Sequence, residues 1–136
     1  MAPAPRIVVA DDSPFMRSVL GGALSAAGFD VVATAHDGDD ALAKALSLAP
    51  DLVLLDVMMP RMDGYEVCSR LRADPRSAHI PVIMLTAKSL AADRAMAFTA
   101  GADDWVTKPF DPADLVSKVK HHLRLQDARA AVVRGA

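Results

Sequence analysis

Four apolar stretches of this 136-residue chain each end in a polar residue that could take part in chemistry. Asp11 and Asp12 follow the run IVVA, Asp56 follows LVLL, Thr86 follows VIML, and Lys108 follows WVT. A carboxylate at the end of a buried strand loses solvation energy unless a cation or hydrogen bonds compensate for it. Ligands of open α/β sheets bind beyond the carboxyl ends of the strands, so we expect these side chains to converge on one site.

The residue types indicate the chemistry that such a site could support. Three carboxylates close together repel one another, so either one is protonated or a cation binds between them. Oxygen ligands favour a hard ion such as Mg²⁺, or alternatively Mn²⁺, which also binds phosphate oxygens. Asp56 could itself accept a phosphoryl group, with Lys108 neutralising charge and Thr86 donating a hydrogen bond. The sequence therefore predicts metal-assisted phosphorylation of Asp56.

Strand and helix patterns alternate five times along the chain, and these segments must position the site. Apolar, β-branched runs occupy residues 6–10, 29–35, 52–55, 81–85 and 104–107, each followed by a helical pattern. Ser13-Pro14 is typical of a helix start, and Gly28 of a helix end. The alternation predicts an α/β fold with a mostly parallel sheet covered on both faces. The second strand ends in Thr34-Ala35, without a reactive side chain, which suits the sheet edge.

Composition limits the class of protein. Hydrophobic residues make up 52% and charged residues 24%, which suits a single globular domain. The formal net charge of −2 gives no electrostatic reason to expect nucleic acid or an anionic membrane as a partner. Cys68 is the only cysteine, which rules out an intramolecular disulfide. No apolar run is long enough for a membrane span or a secretory leader, so we expect a cytoplasmic protein.

Several of these residues also have a purely structural interpretation. Asp12 alone could be a solvated residue near a helix start, and a lysine such as Lys108 usually points into water. Asp37, Asp39 and Asp40 have the Asp-x-Asp spacing of some metal sites, but we interpret them as a helix-capping, solvated cluster. The joint placement of the strand-end residues, rather than any one of them, favours the functional interpretation.

The motifs around these residues resemble the receiver domain of two-component response regulators, a family that includes the single-domain chemotaxis regulator. The matching stretches are VVADDSPFMR, LVLLDVMMPRMDGYEV, PVIMLTA and AGADDWVTKPF. The resemblance covers about residues 5–124, and residues 125–136 would extend the last helix or fray. It implies a flavodoxin-like, doubly wound fold with five parallel strands in the order 2-1-3-4-5 and five flanking helices.

The resemblance also implies roles for individual residues. Asp56 would accept a phosphoryl group from the phosphohistidine of a sensor histidine kinase or a histidine phosphotransfer protein. Asp12, Asp56 and the backbone carbonyl of Met58 would ligate Mg²⁺, with Asp11 assisting through water. Such domains catalyse their own phosphorylation and slow autodephosphorylation. Met58 and Lys88 occupy positions that tune the lifetime of the phosphoryl group, and their chemistry predicts a long-lived phosphate.

The family's switch depends on residues near the last strand. Thr86 would move toward the phosphoryl group that Lys108 binds, and the Lys108–Pro109 peptide would be cis. The face formed by the fourth helix, fifth strand and fifth helix would then change shape and bind a downstream protein or output domain. Trp105 stands where the family usually has Tyr or Phe, and whether this bulkier ring retains the family's rotamer switch is an open question.

Other classes of protein fit these motifs less well. A haloacid-dehalogenase-type phosphatase needs Asp-x-Asp after the first strand, where this chain has Asp11-Asp12-Ser13. A dinucleotide-binding enzyme needs Gly-x-Gly-x-x-Gly there. A pseudo-receiver, which docks partners without being phosphorylated, would normally lack one of the acids or the lysine. No helix-turn-helix is visible, so we expect a stand-alone or truncated receiver that acts through protein contacts, without direct nucleic-acid binding.

Overall fold

The computed structural model describes residues 3–87 and 91–133 and contains five β-strands alternating with five α-helices. The strands are β1 (Arg6–Ala10), β2 (Asp30–Ala35), β3 (Leu52–Asp56), β4 (Val82–Thr86) and β5 (Asp104–Thr107). The helices are α1 (Pro14–Ala26), α2 (Gly38–Leu48), α3 (Gly64–Ala73), α4 (Ala91–Thr99) and α5 (Pro112–Val133).

The strands form one parallel sheet in the order β2-β1-β3-β4-β5. Val9 of β1 lies opposite Leu54 of β3, and Leu54 lies opposite Ile83 of β4, so the apolar runs form the centre of the sheet. The order confirms the predicted doubly wound α/β fold, and β2 lies at the edge as its unreactive ending suggested. Because all five strands run the same way, their carboxyl ends share one edge of the sheet.

Successive side chains of each strand enter two separate apolar cores, one on each face of the sheet. Val53 and Leu55 pack with α2, α3 and α4, whereas Leu52 and Leu54 pack with α1 and α5. All five residues of β3 are buried. The uninterrupted apolar sequence of β3 is therefore explained by helices that cover both sides.

Side-chain caps start three of the helices at the edge where the strands end. The Ser13 hydroxyl accepts a hydrogen bond from the Met16 amide (3.2 Å), and Asp37 Oδ1 accepts one from the Asp40 amide (2.8 Å). Asp63 caps α3 in the same way. The capping role of Asp37 is as expected, but its description as solvated is wrong, because only 5% of its surface is exposed.

The last helix is longer than the others and has 22 residues. Leu115 and Val119 in its first half are fully buried in the core shared with α1. Among the described residues, no helix is both long enough and apolar enough to cross a membrane. The proposed domain end near residue 124 falls within this helix and stays a prediction.

Candidate functional site

Three carboxylates meet where β1 and β3 end. Asp11 directly follows β1, Asp12 comes next, and Asp56 is the last residue of β3. Each offers a carboxylate oxygen, and these oxygens lie within 4.8 Å of one another. Asp11 is fully buried and Asp56 nearly so, whereas Asp12 is exposed. Three hard oxygen donors, one of them reached by solvent, fit the requirements of Mg²⁺ or Mn²⁺, which keeps several waters in its coordination shell.

A lysine ammonium joins the carboxylates from the end of the sheet. Lys108 Nζ lies 2.8 Å from Asp11 Oδ2 and 3.3 Å from Asp56 Oδ1. Its backbone amide donates to the Thr86 carbonyl (2.7 Å), which continues the pairing of β5 with β4. The Lys108–Pro109 peptide is cis, as the resemblance implied. The lysine therefore contacts two of the three acids, and the third, Asp12, is exposed to solvent.

The electrostatics of the site shift two pKa values. Burial raises the pKa of Asp56 from its ordinary 3.8 to about 6, and the Asp11 charge raises it as well, against the lowering effect of Lys108. Burial opposes the charge of Lys108, but its hydrogen bond to Asp11 and the charges of both acids outweigh this, and its pKa is raised. A raised carboxyl pKa means that the charged form lacks full compensation, which a bound divalent cation would supply.

The loop after β3 folds back over Asp56. The Met58 amide lies 3.4 Å from Asp56 Oδ1, while the Met58 side chain is 69% exposed. The Gly64 amide donates to the Val57 carbonyl (2.9 Å), and a Cβ at Gly64 would collide with the Asp56 carbonyl oxygen. Glycine is therefore required at residue 64 by the close approach of this loop to the end of β3.

Two of the remaining predicted residues, Thr86 and Trp105, lie in neighbouring strands of the sheet. Thr86 ends β4, is buried, and pairs with Thr107 of β5. Trp105 instead packs toward α4: its ring meets Phe98 edge-on, and the Arg94 guanidinium lies 5.0 Å from its centroid. Lys88, assigned to lifetime tuning, lies outside the described residues.

One contact at this edge was not anticipated from the sequence. Arg17 Nη1 in α1 donates a hydrogen bond to the Asp11 backbone carbonyl (2.7 Å). The contact fixes the main chain that carries the two adjacent acids. Ser13-Pro14 indicated that α1 begins next to Asp11, but no spacing rule connects an arginine one turn into a helix with a carbonyl before it.

Comparison with known proteins assigns the family. The response regulator receiver domain matches residues 7–120, and the chain belongs to this family. The chain is 46% identical over 123 residues to the DNA-binding dual master transcriptional regulator RpaA of Synechocystis, covering 90% of this chain and 51% of RpaA. It is 44% identical over 126 residues to the DNA-binding response regulator MtrA of Mycobacterium tuberculosis H37Rv, covering 93% of this chain and 54% of MtrA.

Solved structures agree with this assignment. The response regulator receiver domain protein (CheY-like) of Methanospirillum hungatei JF-1 matches with a TM-score of 0.85 at 26% identity, covering 93% of this chain and 98% of that one. The predicted receiver fold and the membership in two-component signalling are thus confirmed.

The expectation of no nucleic-acid partner is wrong. RpaA and MtrA are both named as DNA-binding proteins, and the chain spans about half the length of these relatives. The expectation relied on a small net charge and on the lack of a helix-turn-helix within 136 residues. Charge and motifs within one domain carry no information about nucleic-acid contacts that other parts of a longer protein make.

Proposed function

We propose that this domain accepts a phosphoryl group on Asp56, with Mg²⁺ or Mn²⁺ bound by the acids at the end of the sheet. The observation that carries this proposal is the cluster of Asp11, Asp12 and Asp56 carboxylates within 4.8 Å, with Lys108 in contact with two of them. A lysine–carboxylate ion pair alone would not account for the third acid. Burial and the Asp11 charge raise the pKa of Asp56 to about 6, so its charged form lacks the full compensation that a bound cation would supply.

The donor would be the phosphohistidine of a sensor histidine kinase or of a histidine phosphotransfer protein. An Asp56 carboxylate oxygen attacks phosphorus, the P–N bond breaks, and the histidine nitrogen keeps the bonding electrons and takes up a proton. Asp12, Asp56 and the Met58 carbonyl would hold the metal, with Asp11 assisting through water, and the ion supplies charge neutralisation for the phosphoryl oxygens. Lys108 neutralises a further oxygen, and the Thr86 hydroxyl donates to another.

The product is an acyl phosphate, which places a dianion against Lys108 at the end of the sheet. Thr86 and the segment that follows β4 would shift toward it, and the face formed by α4, β5 and α5 would change shape. The DNA-binding relatives support a further proposal, in which this switch controls DNA binding by a longer protein. Both events would take place in the cytoplasm.

The test is the intact mass of the protein after incubation with a small acyl-phosphate donor, with and without Mg²⁺. We expect a gain of one phosphoryl group, about 80 Da, that requires Mg²⁺ and disappears in Asp56→Ala. Asp39→Ala is the matched control, because it removes an exposed acid from the other Asp-rich segment. This control should be phosphorylated like the wild type, and a loss of phosphate there would contradict the assignment.

A wild type that gains no mass would be tested with a beryllofluoride mimic, followed by Trp105 fluorescence. A fluorescence change would indicate a competent site that needs its own phosphohistidine donor. No response to either reagent would favour the pseudo-receiver, which docks partners without phosphorylation.

The phosphoryl group on Asp56 should have a lifetime well beyond seconds. The Met58 side chain is exposed and cannot orient an attacking water by a strong hydrogen bond.

A further inference from the structure

The loop between β3 and α3, residues 57–63, rests directly on the first turn of α2. The Gly38 amide donates to the Pro60 carbonyl (3.3 Å), and a Cβ at Gly38 would collide with the Met62 backbone oxygen. Met62 itself is 7% exposed and packs in the core beneath α2. The position of the loop that carries Met58 is therefore linked to α2, which contributes none of the three clustered acids.

An ion pair crosses the same junction. Asp37 Oδ1 caps α2, which leaves Oδ2 free for other partners. Oδ2 lies 3.3 Å from Arg61 Nε and 3.3 Å from His36 Nε2. Asp37 is buried, whereas the Arg61 side chain extends over it from the surface with 68% exposure. Asp37 thus contacts the guanidinium of Arg61 in the loop and the imidazole of His36, the residue that follows β2.

Arg61 makes this contact from a backbone conformation that disfavours it. Its φ is +71°, in the left-handed region where glycine or asparagine is at ease and a long side chain is not. If the backbone conformation were the only requirement at this position, glycine would be the favoured residue. An arginine that instead pairs with a buried carboxylate indicates that its side chain contributes to fixing the loop.

We propose that the Asp37–Arg61 ion pair is a positioning device that holds the β3–α3 loop in place for metal binding. The inference rests on the proposed function, in which the Met58 carbonyl ligates Mg²⁺. The Val57 amide donates a hydrogen bond to the Leu85 carbonyl (3.0 Å), which fixes Val57 to the sheet, and the Gly64 amide closes the other end of the loop by donating to the Val57 carbonyl. Between these ends, the Arg61 ion pair adds a contact to the Gly38–Pro60 hydrogen bond and the buried Met62, so its loss loosens the segment that must present the Met58 carbonyl.

The test is the Mg²⁺ dissociation constant, measured by titration calorimetry on the full chain without a phosphoryl donor. Arg61→Gly removes the ion pair and suits the positive φ, so the fold is not penalised. Asp37→Asn removes the charge but keeps an oxygen for the α2 cap. We expect each to raise the dissociation constant by about tenfold, the lower end of the effect of groups that orient metal ligands.

The two substitutions separate positioning from a simple effect of charge. Removing a negative charge weakens cation binding through the electric field alone, whereas removing a positive charge strengthens it. Positioning predicts weaker binding in both. Arg61→Lys should restore part of the affinity, and Arg70→Ala, which removes an exposed arginine paired with Glu66, should leave it unchanged.

Equal affinity in wild type and both variants would overturn the inference, as would tighter binding by Arg61→Gly. Melting curves identify any variant that is merely unfolded, and Arg61→Asn, also compatible with a positive φ, then replaces Arg61→Gly under the same criteria. A wild type that binds no Mg²⁺ would overturn the proposed function itself and the inference with it. Normal wild-type binding with unaffected variants would leave the proposed function intact.

Discussion

The negative charge of the buried Asp56 carboxylate is only partly compensated by its neighbours. Burial and the Asp11 carboxylate raise its pKa to about 6, although Lys108 contributes an opposing charge and a hydrogen bond. The folded protein therefore binds the Asp56 proton more tightly than the unfolded chain, whose carboxyl has a pKa near 3.8. The contribution of Asp56 to stability should therefore fall as the pH rises from about 4 to about 6, with its full penalty present above pH 6.

Replacing Asp56 by Asn should stabilise the metal-free protein at pH 7. The amide has nearly the same shape and never becomes charged, and Lys108 retains its hydrogen bond to Asp11. We expect the free energy of unfolding to increase by about 1–3 kcal/mol at pH 7, with the difference vanishing toward pH 4. Urea titrations across this range in the presence of a chelator measure it. A variant less stable than the wild type at neutral pH would show that the charge of Asp56 is fully compensated.

The sequence predicted the convergence of Asp11, Asp12, Asp56 and Lys108 because the rule involved is simple. A polar residue that ends a buried parallel strand must lie at the carboxyl edge of the sheet. The contacts of Arg17 could not be predicted in this way. They depend on how far a long side chain reaches across a helix–strand junction, which no periodicity specifies.

Arg72 shows how one side chain can join several backbone segments. From α3, its guanidinium donates to the Ile80 carbonyl (2.6 Å), the Gly101 carbonyl (2.8 Å) and Asp103 Oδ2 (2.8 Å). These groups belong to the turn before β4 and the turn between α4 and β5. The arginine therefore fixes the entry of two strands whose other ends carry Thr86 and Lys108.

Arg72→Met should destabilise the fold by about 1–3 kcal/mol, because three carbonyls, those of Ala78, Ile80 and Gly101, and a partly buried carboxylate lose a charged donor. Arg70→Met is the matched control on the same helix, since its pair with Glu66 is exposed and worth well under 1 kcal/mol. Urea unfolding of both variants gives the comparison. Equal stability of the two would mean that Arg72 is no more than a surface charge.

The surroundings of Trp105 belong to α4 as much as to β5. Phe98 meets the indole edge-on with centroids 5.0 Å apart, and Arg94 lies 5.0 Å from the ring centroid. Both partners come from α4, so the ring can rotate only if these contacts break. The sequence revealed the unusual residue at this position, but not its orientation, because the rotamer depends on packing between α4 and β5.

The βα alternation predicted a parallel sheet covered on both faces, whereas the strand order 2-1-3-4-5 was implied by the resemblance to receiver domains. The sequence did not predict the association of this family's longer members with DNA. The relatives match along about half of their length and are named for DNA binding, which a near-neutral receiver does not reveal. The predicted end of the receiver domain within α5 can be tested by stability.

The folding unit should end near residue 124, although α5 continues to Val133. A 22-residue helix is about 33 Å long, whereas strands of four to six residues span about 13–20 Å, so α5 extends beyond the sheet. Leu115 and Val119 are fully buried, but none of the described residues from 120 to 132 is. Gln126 and Ala130 border an open cavity beside Pro5 and Pro81.

Deleting residues 125–136 should therefore lower the free energy of unfolding by less than about 1 kcal/mol and leave phosphorylation of Asp56 intact. Leu115→Ala, in the same helix but within the core, should cost about 2–5 kcal/mol. Urea unfolding and the intact-mass assay on the two proteins make the comparison. If the truncation were as costly as Leu115→Ala, the end of α5 would belong to the receiver and could not act as an independent connection to an output segment.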